Sequence, residues 1–141
     1  MNLKPYFVTA SLAFGLQLSP LWAGEAAIEA MQEYMMFSDY EAGIILPQQI
    51  DQSVFEAALF IDTRNTEQFE KATIPGAVNM EWREVLDRLN EIPTDRMTIL
   101  FCNTGTLSAQ AAFALRVVDR SNVVVMQTGF IGWQQNAAYK P

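Results

Sequence analysis

The chain contains no histidine and a single cysteine, Cys102. Without imidazole there are no histidine metal sites, no Ser–His or Cys–His pairs and no imidazole acid–base chemistry. One thiol excludes an internal disulfide and, within one chain, a multi-cysteine zinc or iron–sulfur centre. Neither a metal nor an organic cofactor is expected. Basic residues are scarce, 9 against 16 acids, for a net charge of −7. Such a surface suits neither nucleic acid nor an anionic membrane. The longest apolar run, Phe7 to Leu18, has about 12 residues, fewer than the roughly 20 that span a bilayer.

The 141 residues are half hydrophobic and 18% charged, the composition of one globular domain with a real core. Any covalent chemistry must come from the thiol, carboxylates, hydroxyls, Arg and Lys side chains or the backbone. Residues 1–23 have the layout of a secretory signal: Lys4, the apolar run, a Ser19-Pro20 break and Ala23 at the cleavage position. A periplasmic or secreted protein is expected, with no membrane attachment after cleavage. Residues 24–42 form a helical extension, with Ile28, Met31 and Met35 on one face of Glu25–Phe37. Residues 43–141 form the domain proper.

Within the domain, short apolar runs alternate with helical patterns. Strands are expected at Gly43–Leu46, Leu59–Ile61, Met97–Phe101 and Asn122–Met126, and one after a turn within Ile74–Asn79. Helices are expected at Gln48–Ala57, Thr66–Lys71, Glu81–Leu89, Ala109–Val118 and Phe130–Asn136. In Glu81–Leu89, Trp82, Val85, Leu86 and Leu89 share a face, and Arg83–Asp87 and Glu84–Arg88 are i,i+4 pairs. Leu107, Ala111, Ala114, Leu115 and Val118 mark the buried face of the helix after the cysteine. Continuous apolar strands argue for a mainly parallel sheet covered by helices on both faces: an α/β, three-layer fold. Ligands of such sheets bind at the carboxyl ends of the strands. Cys102 and Asp62-Thr63-Arg64 both follow strand ends, so they share that edge.

Cys102 lies between a buried strand and the first turn of a helix. Free N–H groups and the helix dipole favour its thiolate, the reactive form. Backbone N–H groups from Asn103 to Ser108 form an anion nest if the loop curls, and Gly105 permits that curl. Thr104, Thr106 and Ser108 add hydroxyls, Ser108 alternatively capping the helix. Asp62 reads as scaffold, because a carboxylate against a thiolate opposes ionisation. Arg64 has two readings, an attractor of anionic substrate or a scaffold partner of Asp62. Trp82 and Trp133 read as core or rim.

Five pieces in order resemble the rhodanese domain family, in particular its small single-domain exported bacterial members. They are Ile61-Asp62-Thr63-Arg64, Glu67-Gln68-Phe69, Ile74-Pro75-Gly76-Ala77-Val78-Asn79, Cys102-Asn103-Thr104-Gly105-Thr106 with Ser108, and Gly129 to Trp133. The resemblance covers roughly residues 43–136. It implies a five-stranded rhodanese-like sheet and transfer of a sulfane sulfur through a persulfide on Cys102. The donor would be thiosulfate or a persulfide, and the acceptor cyanide, a small thiol or a protein thiol. Asn103, Thr104, Gly105, Thr106, Leu107, Ser108 and Arg64 would line the substrate site of a monomeric thiosulfate sulfurtransferase. Two positions depart from the family pattern: Thr73 where histidine is frequent, and Leu107 where arginine or a polar residue often stands. Leu107 removes a side chain that would hold an anion. Alternatives are a non-catalytic interaction module, a persulfide carrier in a protein relay and a cysteine phosphatase. The last lacks the loop arginine that clamps phosphate, the next being Arg116.

Overall fold

The computed structural model describes residues 20–41 and 43–141. Most of the expected signal segment, residues 1–19, lies outside them. Helix α1 spans Pro20–Phe37 and runs through the expected cleavage position. Five strands follow: β1 (Ile44–Ile45), β2 (Leu59–Asp62), β3 (Val78–Asn79), β4 (Thr98–Phe101) and β5 (Val123–Met126). Between and after them lie α2 (Gln52–Ala57), α3 (Thr66–Lys71), α4 (Thr106–Val117) and α5 (Gly129–Asn136). The strands form one sheet in the order β1-β5-β4-β2-β3, every pairing parallel. Among the described residues no helix is long and apolar enough to cross a membrane.

All four residues of β4 are buried, which is why its sequence is an unbroken apolar run. Its alternate residues feed two cores. Ile99 and Phe101 face Ile45, Phe60, Met126, Phe130 and Trp133 on one side of the sheet. Leu100 faces Ile61, Val85, Ala111, Leu115 and Val123 on the other. Trp133 is buried and stacks on Phe130 at 6.0 Å, and Phe130 lies 6.2 Å from Phe101. Trp82 is half-buried against the second core.

Four expectations need correction. Glu81–Leu89 is not an α-helix. It is a run of turns ending in a 3₁₀ turn at Leu89–Glu91. Its entry is tied to the sheet, with the Trp82 N–H donating to the Thr63 carbonyl at 3.0 Å. The Arg88 guanidinium bonds the Asn79 carbonyl. Glu84–Arg88 pairs as expected at 3.2 Å, but Arg83 pairs with Glu81, not Asp87. Gln48–Ala57 is broken in two, a 3₁₀ turn at Pro47–Gln49 and then α2. Between them Ile50 is buried, and the Asp51 carboxylate accepts from the Val54 N–H at 2.9 Å, capping a fresh helix. Helix α4 starts three residues before Ala109, and Leu107 and Val118 are exposed at 37% and 38%. Ala111 and Leu115 are buried as expected, and Ser108 and Ala112 join them on the buried side. In α1, Ile28 and Met35 are exposed and only Met31 is half-buried, so its apolar stripe is largely open.

Candidate active site

Strand β4 delivers Cys102 to the carboxyl edge of the sheet, one residue past Phe101. The loop reverses at Gly105, whose φ of 103° lies in the left-handed region and favours glycine. A β-carbon there would also meet the Met126 carbonyl at 3.5 Å. The reversal turns the backbone donors inward. The Gly105 N–H donates to Cys102 Sγ at 3.2 Å, and the Ser108 hydroxyl lies 3.7 Å from the same sulfur. Ser108 is fully buried and also bonds the Gly105 carbonyl at 3.0 Å. A hydroxyl has one proton, so it serves the carbonyl or the sulfur at any moment.

Cys102 is 3% exposed. Burial pushes its thiol pKa up. The N–H groups of Ser108 and Thr104, the Ser108 hydroxyl and the Gly105 N–H outweigh that, so the pKa falls below the ordinary thiol value. Of the N–H groups from Asn103 to Ser108, those of Thr104, Gly105 and Ser108 face the sulfur.

The loop's carbonyls point the other way, into α5. The Phe130 N–H donates to the Cys102 carbonyl at 2.7 Å, and the Ile131 N–H to the Asn103 carbonyl at 3.1 Å. Gly129 makes this possible, because a side chain there would collide with Cys102 and Asn103 backbone. Thr63 steadies the strand end from below, its N–H and hydroxyl both reaching the Phe101 carbonyl.

Asp62 and Arg64 resolve into scaffold geometry. Asp62 is fully buried and Arg64 is 5% exposed. Arg64 Nε and Nη2 donate to the two Asp62 carboxylate oxygens at 2.9 and 2.6 Å. Nη2 also reaches the Ala72 carbonyl at 2.7 Å, and Nη1 holds the Asn103 side-chain oxygen at 3.1 Å. The guanidinium lies 4.5 Å over the Phe130 ring. Thr73 donates its hydroxyl to Asp62 at 2.8 Å, so the departure at this position is absorbed locally. Arg64 therefore touches the loop through Asn103, with its other donors held by Asp62 and Ala72.

At the rim, the Thr104 and Thr106 hydroxyls lie 3.3 Å apart and both residues are exposed, beside Leu107. Cys102, Gly105 and Ser108 thus meet at the sulfur. Asn103 is turned towards Arg64, and Leu107 faces solvent. The Phe130 ring over Arg64 was not visible as a partner in the sequence, since position 130 has no signal beyond its place in the Gly129–Trp133 motif.

The carboxyl edge of a buried parallel sheet thus presents one thiol ringed by N–H donors. The chain belongs to the rhodanese family: the rhodanese-like domain model matches residues 46–136. It is 28% identical over 90 residues to thiosulfate sulfurtransferase GlpE of Pseudomonas syringae pv. syringae, covering 64% of this chain and 85% of that protein. It is 37% identical over 72 residues to thiosulfate sulfurtransferase PspE of Escherichia coli K12, covering 50% and 69%. A rhodanese-related protein of Thermoplasma volcanium superposes with a TM-score of 0.59 at 20% identity, over 64% of this chain and 89% of that one. The family role these relatives carry is sulfurtransferase.

Proposed function

We propose that the protein is a thiosulfate sulfurtransferase-type enzyme that carries sulfur as a persulfide on Cys102. The single observation that carries this reading is the inward set of N–H groups around a thiol of lowered pKa. The Cys102 thiolate attacks the outer sulfur of a donor such as thiosulfate. The new S–S bond forms as the old one breaks, and sulfite leaves with the electron pair. The terminal sulfur of the persulfide carries the remaining negative charge, which the nest stabilises without a general base. An acceptor thiolate or cyanide then takes the outer sulfur and returns the electron pair to Cys102. Thr104, Gly105 and Ser108 hold the transferred sulfur, Thr106 and Leu107 form the rim the substrate meets, and Arg64 positions Asn103. Export to the periplasm through residues 1–23, action as a monomer and a protein thiol among the acceptors belong to the same reading.

Intact mass tests it. With thiosulfate, the wild type should gain one sulfur, about 32 Da, and Cys102→Ser should gain none. No adduct with any sulfane donor would overturn the reading. Adduct without turnover to cyanide would select the relay carrier, which the apolar Leu107 at the rim favours.

A further inference from the structure

A hollow of about 390 Å³ opens beside the Cys102 loop and runs along α4. Thr104 to Thr106 wall one end, Ile44, Phe113 and Val125 give it apolar sides, and Arg116 stands at the other end under Tyr34. It exists because β1 is a two-residue edge strand, which α4 leaves uncovered on this face. Ile44 there is 52% exposed and Phe113 37%. From Ala109 at the loop to Arg116 the helix rises about 10 Å.

Among the described residues, Arg116 is seated there by neutral groups. Its Nε donates to the Tyr34 hydroxyl at 3.0 Å, and Nη1 to the Val123 and Ser121 carbonyls at 2.9 and 3.4 Å. The backbone at Gly43 passes so close that a β-carbon would sit 2.8 Å from Nη1. Among the described residues, Nη2 has no acceptor and no carboxylate lies within 4.0 Å of the guanidinium. Glu33, Asp39 and Asp119 line a separate hollow that Arg116 also borders, without pairing to it. A fixed, half-buried cation with a free pair of N–H donors, at the end of an apolar groove, is matched by a carboxylate on an apolar chain.

We propose that this groove binds the sulfur acceptor, a small thiol whose unbranched apolar chain ends in a carboxylate. The carboxylate meets Arg116, the chain lies against Ile44 and Phe113, and the thiol reaches the loop. The proposal rests on the persulfide reading of Cys102. In the step it serves, the acceptor thiolate attacks the outer persulfide sulfur. An S–S bond forms to the acceptor, the bond to Cys102 Sγ breaks, and Cys102 leaves as thiolate.

The test loads the full chain with sulfur and measures its discharge by 3-mercaptopropionate, 6-mercaptohexanoate, 8-mercaptooctanoate and the uncharged 8-mercapto-1-octanol. The second-order rate constant should rise at least about tenfold from the three-carbon to the eight-carbon acid, because each buried methylene adds apolar contact. The eight-carbon acid should outpace the alcohol about fivefold, the benefit of an exposed-to-half-buried ion pair. Arg116→Gln should erase the acid's advantage, and the surface change Ile44→Asp should flatten the series. Octanoate, which has no thiol, should shift the NMR signals of Ile44, Phe113 and Arg116 in unloaded protein. Normal loading with a flat series overturns the groove and leaves the persulfide reading intact. Failure to load overturns the persulfide reading, and the octanoate titration then decides the groove alone, absence of shifts refuting it.

Discussion

Arg64, bonded to the loop, and Arg116, in the last turn of α4, illustrate two uses of a guanidinium. Arg64 is buried at the end of β2, bidentate to Asp62, and acts on the loop through Asn103. Arg116 is half-buried on α4 and, among the described residues, bonded to a hydroxyl and carbonyls. The first has its charge matched inside the fold; the second keeps a charge that a ligand can match. Proximity of an arginine to a reactive thiol is thus no guide to anion binding. The acceptors it already holds decide the matter.

Stability gives the sharpest contrast. Arg64→Met leaves the Asp62 carboxylate buried and unpaired, and should lower unfolding stability by about 3–5 kcal/mol. Arg116→Met removes hydrogen bonds to neutral groups and should cost about 1–3 kcal/mol. Urea denaturation of the two variants measures this, and equal losses would break the comparison. A smaller effect is expected at the rim, where Leu107→Arg places a new cation with no carboxylate partner beside the loop. KM for thiosulfate should fall severalfold in steady-state assays, and an unchanged or higher KM would mean that the nest alone governs the anion. The smallest change is expected from Ser108→Ala, which removes one of four donors that lower the Cys102 pKa. Its iodoacetamide reactivity should fade at a higher pH than that of the wild type as pH is lowered. The sign follows from linkage. A folded-state pKa below the unfolded value contributes stability above the unfolded thiol pKa, and that contribution is lost as pH falls through the folded value. Ser108→Ala should therefore narrow that window from its lower end.

The strands and the cysteine turn were legible in the sequence because each is a contiguous signal. An apolar run marks β4, and the helical pattern after Gly105 marks α4. The failures have a common origin. Apolar spacing reports which side chains are buried, not which carbonyl an N–H finds. Trp82, Val85 and Leu89 do turn inward, yet the backbone closes turns such as the Glu84 N–H to the Glu81 carbonyl in place of a continuous α-helical ladder. Leu107 shares an apolar spacing with Ala111 and Leu115, but the helix begins at Thr106 after a left-handed glycine, and its first turn puts Ser108 inside. The two readings of Arg64 could not be separated because its partners, Asn103 and the Ala72 carbonyl, are remote in sequence or belong to the backbone.

The nest around Cys102 is braced by residues that come 28 positions later, through the bonds from Phe130 to the Cys102 carbonyl and from Ile131 to the Asn103 carbonyl. During synthesis the cysteine therefore emerges before the segment that shapes its surroundings. The N–H groups that face the sulfur belong to the loop and the first turn of α4, whereas the bonds that brace the loop from behind wait for Gly129 to Trp133.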